Sequence, residues 1–134
     1  MKPELEKQIL DRWPDWFAFR DDVTRSLMGF GFQCDDGWFR LLVSTFEGIE
    51  PHVAVWNQEL AGCGAHFEIL EVKEKFGELR IVAMGTNEAI YTALLEARDR
   101  SRTVCELCGA PGQLRSEGYW RVRCNRCTAE ESDE

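Results

Sequence analysis

Two cysteine pairs, Cys105-Glu106-Leu107-Cys108 and Cys124-Asn125-Arg126-Cys127, stand fifteen residues apart in the last third of this chain. Each CxxC sets two thiols on one tight backbone knuckle. Fifteen residues suffice for a hairpin that carries the second knuckle back to the first. The spacing predicts a closed four-cysteine site for a tetrahedral Zn²⁺, with Cys105, Cys108, Cys124 and Cys127 as the ligands. A redox dithiol pair or disulfides are the alternatives at this spacing. Four thiolates leave no open position for water, so the predicted role of the metal is structural.

With 134 residues, the chain has room for one modest core plus a zinc-held appendage, and too little for two ordinary domains. Eight Phe and five Trp supply the apolar surface such a core needs. The first residues lack the apolar run of a signal peptide, and no segment approaches the ~20 apolar residues of a membrane helix, so a soluble, cytoplasmic protein without membrane contact is expected. In that reducing setting the isolated Cys34 and Cys63 read as buried thiols.

The net charge of −8 is uneven. Residues 1–97 carry nine Lys/Arg against 17 Asp/Glu, residues 98–127 carry seven Arg against three acids, and the segment from Thr128 onward adds four acids. Between Leu41 and Val72 there are five glutamates, Glu47, Glu50, Glu59, Glu68 and Glu71, and no Lys or Arg. Such a body repels nucleic acid and suits a basic protein partner. Only the C-terminal module has the charge to tolerate a polyanion.

Pro3 suits the first turn of a helix, which Trp13-Pro14 interrupts. A second helix is expected from Asp15, with Trp16, Phe19, Val23 and Leu27 on one face and Gly29 and Gly31 at its end. Asp36 is placed to cap a third, which carries Trp38, Leu41, Leu42, Thr45, Phe46 and Ile49 and is stopped or restarted at Pro51. The period then changes to two: residues 67–72 and 79–84 read as a hairpin turning at Lys75-Phe76-Gly77, and it must lie on the helices to be stable. Thr86 or Asn87 caps a further helix with Ala89, Ile90, Ala93, Leu94 and Ala97 inward. That helix runs into the first knuckle without a linker. The reading is an α+β fold: an acidic core over 1–102, a continuous zinc-ribbon or treble-clef-like module over 103–128 with Trp120 and Leu114 packed toward the helix of residues 87–102 or onto the hairpin, and an acidic tail over 129–134.

Three stretches carry a resemblance. They are Met28 to Phe39 with Cys34-Asp35-Asp36-Gly37-Trp38, then Val72-Lys73-Glu74-Lys75-Phe76-Gly77-Glu78-Leu79-Arg80, and Ser101 to Cys127 with Trp120 ahead of the second pair. Together they resemble a family of uncharacterised small proteins of bacteria and phages or prophages, except that Asp35 stands where the family's pattern has Gly. The resemblance implies this architecture and a phage-like origin; it supplies no catalytic residues.

Function is less constrained. His52 and His66 have no partner at metal or triad spacing, and no Gly-x4-Gly-Lys loop is present. The adjacent carboxylates of Asp35 and Asp36 suit capping better than an acidic site. The segment Lys73 to Arg80 reads as a turn with exposed charges or as a binding loop. Arg115, Tyr119, Arg121, Arg123 and Arg126 have the composition of a nucleic-acid surface; the favoured alternative is that Trp120 seats the module on the core and the arginines are solvated or pair with the acidic body. The leading expectation is a non-enzymatic module that binds a host protein, as an inhibitor or adaptor. A nucleic-acid binder acting through the arginine-rich module, and an enzyme or zinc-linked redox switch, are the other two classes.

Overall fold

A computed structural model describes residues 1–132, and it is mixed helix and strand. Helix α1 (Pro3–Arg12) starts on its proline, whose missing N–H costs nothing there. The helix expected from Asp15 does not form. The chain makes one 3₁₀ turn at Pro14–Phe17 and then a series of turns. Asp22 accepts from the backbone N–H and the hydroxyl of Thr24 at 3.0 and 2.6 Å, a local bond that competes with helix. Trp16 is buried, while Val23 and Leu27 of the supposed stripe lie exposed.

Helix α2 (Phe39–Ala61) runs straight through Pro51. Pro51 and Glu47, whose carbonyl loses its donor, are both exposed, so water can take up the lost bond. Asp36 is no cap for this helix. Its carboxylate accepts from the Lys2 backbone N–H at 2.8 Å, and Trp38 occupies the N-cap position.

Strands β1 (Glu68–Lys75) and β2 (Glu78–Met84) pair antiparallel, with Lys75 opposite Glu78 and a bulge between Ile69 and Glu71. Phe76 and Gly77 form the two-residue turn, both with positive φ (55° and 78°), the geometry that matches strand twist. The outer edge of β1 is covered by the preceding loop: Leu27 N–H donates to the Leu70 carbonyl and Gln33 exchanges bonds with Val72 and Glu74. Asn87 caps α3 (Glu88–Ser101) through Ile90 N–H at 2.9 Å. Ile90, Leu94, Ala97 and Ser101 form its buried face, whereas Ala89 is exposed, one position outside the stripe. The Ser101 hydroxyl accepts from Leu79 N–H at 3.0 Å and ties α3 to β2.

The core lies between α2, α3 and the hairpin, closed on one side by an aromatic cluster. Trp13 stacks on Trp16 with centroids 5.4 Å apart, and Phe46 and Phe67 meet them edge-on. Glu68 is fully buried beneath this cluster, accepting from Phe19 N–H and contacting His66 Nε2, each at 2.8 Å. A short hairpin, β3 (Gln113–Arg115) and β4 (Arg121–Arg123), follows the first knuckle. The presumed acidic tail is helical in its described part: α4 (Asn125–Ser132) begins inside the second knuckle, while Asp133 and Glu134 lie outside the described residues. Knuckle, hairpin and helix follow in the order of a treble-clef-like module.

Candidate metal centre

The Sγ atoms of Cys105, Cys108, Cys124 and Cys127 all lie within 4.8 Å of one another. The first two sit on a knuckle closed by Cys105 N–H to the Ala110 carbonyl (2.7 Å) and Gly109 N–H to the Cys105 carbonyl (2.8 Å). The second two belong to the start of α4, where Thr128 N–H bonds back to the Cys124 carbonyl at 3.0 Å and Cys127 N–H points at Cys124 Sγ from 3.4 Å. Cys105, Cys124 and Cys127 are buried and Cys108 is exposed.

This arrangement fits a tetrahedral ion. With Zn–S bonds of ~2.3 Å, the sulfur–sulfur edges should be about 3.8 Å, and Cys108 and Cys124 are 3.6 Å apart. That distance is far too long for a disulfide bond, and all four cysteines are free. Bonds from the Cys127 backbone and from the neighbouring thiols pull the Cys124 thiol down to about 6, against the opposing effect of burial. Backbone N–H groups at the start of a helix stabilise thiolate charge in the same way. Among the described residues, no His or carboxylate belongs to the cluster. If Zn²⁺ is held here by the four thiolates, it supplies a tetrahedral crosslink between knuckle and helix.

The module meets the core along a hydrogen-bonded seam. Gly37 N–H donates to the Glu106 carbonyl at 2.6 Å, Asp35 N–H to the Glu106 carboxylate at 2.9 Å, and the buried Trp38 indole N–H to the Val104 carbonyl at 2.9 Å. Val122 completes the main core. Gly37 admits this approach because it lacks a side chain: a Cβ there would lie 2.2 Å from the Cys105 carbonyl oxygen. Burial raises the Glu106 carboxyl above its ordinary range, opposed by its bond from Asp35. Of the two side chains expected to seat the module, Leu114 lies against the Gly77 turn of the first hairpin and Trp120 faces the same turn across a hollow; both stay about half exposed and neither is buried on α3.

The arginines of the module are largely engaged within it. Arg123, itself buried, donates to Glu131 at 2.7 Å and lies 3.6 Å from Glu106. Arg121 meets the other Glu131 oxygen at 2.9 Å, Arg126 faces Glu130 at 3.8 Å, and Arg115 donates to the Arg123 carbonyl and the Asn125 side chain. Tyr119 alone of the five candidate nucleic-acid residues stands fully free, 80% exposed. Nor do the five glutamates form one uncompensated surface. Glu68 is internal, Glu47 pairs with Arg12 at 3.3 Å, Glu50 accepts from the Trp13 indole, and Glu71 pairs with Lys73, which leaves Glu59.

Cys34 is buried, and desolvation, with the Glu106 charge second, pushes its thiol up to about 12; Cys63, expected inside, is exposed. Sequence reasoning missed Glu106, Gly37 and Glu131. Glu106 and Gly37 carry no local signal of a distant docking partner, and Glu131 was hidden in a run that reads as a solvated tail. No described helix is long and apolar enough to cross a membrane. No family model matches this chain, and no curated protein or solved structure gives a significant match.

Proposed function

We propose that this chain is a non-enzymatic protein-binding module whose C-terminal third is held in place by a structural zinc ion. The observation that carries the reading is the four-sulfur cluster, which would close the coordination sphere of a bound ion and tie the first knuckle to α4. A metal used this way shapes a surface and offers no Lewis-acid site. The engagement of Arg115, Arg121, Arg123 and Arg126 by groups of the same chain favours a protein partner over nucleic acid. An inhibitor or adaptor acting on a host protein is the role the acidic body suggests.

Elemental analysis of protein purified without chelator tests the metal: about one zinc per chain is expected, and metal-free, fully ordered protein refutes it. Co-purification from host lysate tests the role. The expected result is a stoichiometric protein that survives nuclease treatment, whereas capture that depends on nucleic acid refutes it.

A further inference from the structure

A hollow of about 830 Å³ separates the turn of the first hairpin from the tip of the second. Phe76 stands on one wall and Tyr119 and Trp120 on the other, 64%, 80% and 50% exposed. The walls are in contact at their base, where a Cβ on Gly77 would lie 2.6 Å from Leu114 Cδ1. The hollow continues into a second of about 410 Å³ that shares Glu74, Tyr119 and Trp120 and adds Asp35.

Phe76 breaks two local rules at once. It is the only non-glycine with positive φ among the described residues, in a turn position that favours Asn, Asp or Gly. Its ring is nevertheless exposed, so the fold gains little packing for the strain. Strain of this kind, left unrewarded by the fold, marks functional positions.

Charge selects the occupant. Arg80 is paired with Glu78, and Arg121 and Arg123 with Glu131. Among the described residues the Glu74 carboxylate has no hydrogen-bond or ion-pair partner, and Glu74 lines both hollows. Lys75 lines the same hollow with no ion-pair partner among the described residues, its ammonium 5.8 Å from the Phe76 ring centroid, so the chain's own lysine marks a cation position that a partner's cationic side chain takes over. The whole chain, at −8, attracts cations and repels polyanions.

Resting on the binding-module reading, we propose that this groove takes a lysine- or arginine-bearing extended segment of a basic protein partner, one cationic side chain lying among Phe76, Tyr119 and Trp120 with Glu74 as its counter-charge.

The test titrates the zinc-loaded full chain with a Lys/Arg/Gly peptide, with the same peptide carrying norleucine at each cation, and with oligouridylate, followed by NMR. The cationic peptide is expected to shift the Trp120 indole and Phe76 resonances. Its affinity should fall at least tenfold in Trp120→Ala and Glu74→Gln and hold in Glu59→Gln. Phe76→Asn should also weaken binding while Tm stays level or rises, since Asn tolerates the turn. Equal binding of the neutral peptide, shifts on another face, oligouridylate binding in place of the peptide, or a lower Tm in Phe76→Asn each overturn the proposal. Zinc counted in every sample separates the two readings: zinc retained without peptide binding removes the groove alone, and peptide binding by metal-free protein removes the metal.

Discussion

At the residue scale, the contacts that decide this fold are made by side chains whose neighbours are remote in sequence. Gly37 is the clearest. Its missing Cβ would sit 2.2 and 2.4 Å from the backbone oxygens of Cys105 and Glu106, which cannot step aside as a side-chain end could. Gly37→Ala should therefore cost about 3 kcal/mol, the upper range for overpacking. Because the displaced carbonyls belong to Cys105, a member of the four-sulfur cluster, and to its neighbour Glu106, zinc should also be held less tightly. A lower Tm with faster loss of zinc to a chelator checks this, and an unchanged Tm contradicts it. The thiols make a second residue-scale case. Zinc-loaded protein should lose one thiol quickly to iodoacetamide, at exposed Cys63, while buried and protonated Cys34 survives; peptide mapping that finds Cys34 alkylated first overturns this. The sequence displayed the four clustered cysteines fully, because CxxC spacing is local. It could not display Gly37, since nothing in Asp36-Gly37-Trp38 says what approaches it.

At the element scale, legibility followed how local each cause is. The first hairpin was readable because period-two patterning and a Phe-Gly turn act over a few residues, and α3 was readable from Asn87 and its stripe. The helix expected from Asp15 failed because an Asp22–Thr24 bond and a backbone bond from Leu27 to β1 outweighed a 3.6-residue pattern. Pro51 misled in the other direction, since a proline on the wet face of a long helix need not end it. Asn87→Ala should cost about 1 kcal/mol in denaturant unfolding through the lost cap. Glu78 ties β2 to α3. The hydrogen bond from Arg102, with the charges of Arg102, Arg80 and Arg98 behind it, holds its carboxyl below the ordinary 4.5, partly offset by burial. A depressed carboxylate contributes stability that is present above its unfolded value and lost as pH falls through the folded one. Glu78→Gln should thus be less stable than wild type near neutral pH, by under about 1 kcal/mol given its solvent exposure. The difference should narrow as pH falls below 4.5 and through the depressed folded value, and a gap that persists or widens in acid contradicts the assignment.

At the scale of the whole molecule, the two parts depend on the proposed metal unequally. The main core has its own aromatic cluster and a continuous set of buried aliphatics from α2, β1, β2 and α3. The module's separate interior is little more than Cys105, Cys124 and Cys127 with Ala110 against them. Its remaining anchors, Val122, Glu106 and Val104, reach outward to the core and depend on the knuckle holding its shape. A structural zinc contributes on the order of 10 kcal/mol to small modules of this kind. Stripping it with a chelator, or replacing Cys108 by Ser, should therefore abolish exchange protection across residues 103–132 and at Gly37 N–H. The Trp38 indole N–H should exchange faster as well, having lost the Val104 carbonyl. Amides of α2, α3 and the first hairpin should stay protected, and far-UV circular dichroism should keep most of its helical signal. Unchanged protection over 103–132 after chelation would show that the sulfurs need no metal to hold the module. Complete unfolding would show instead that the core cannot stand without it.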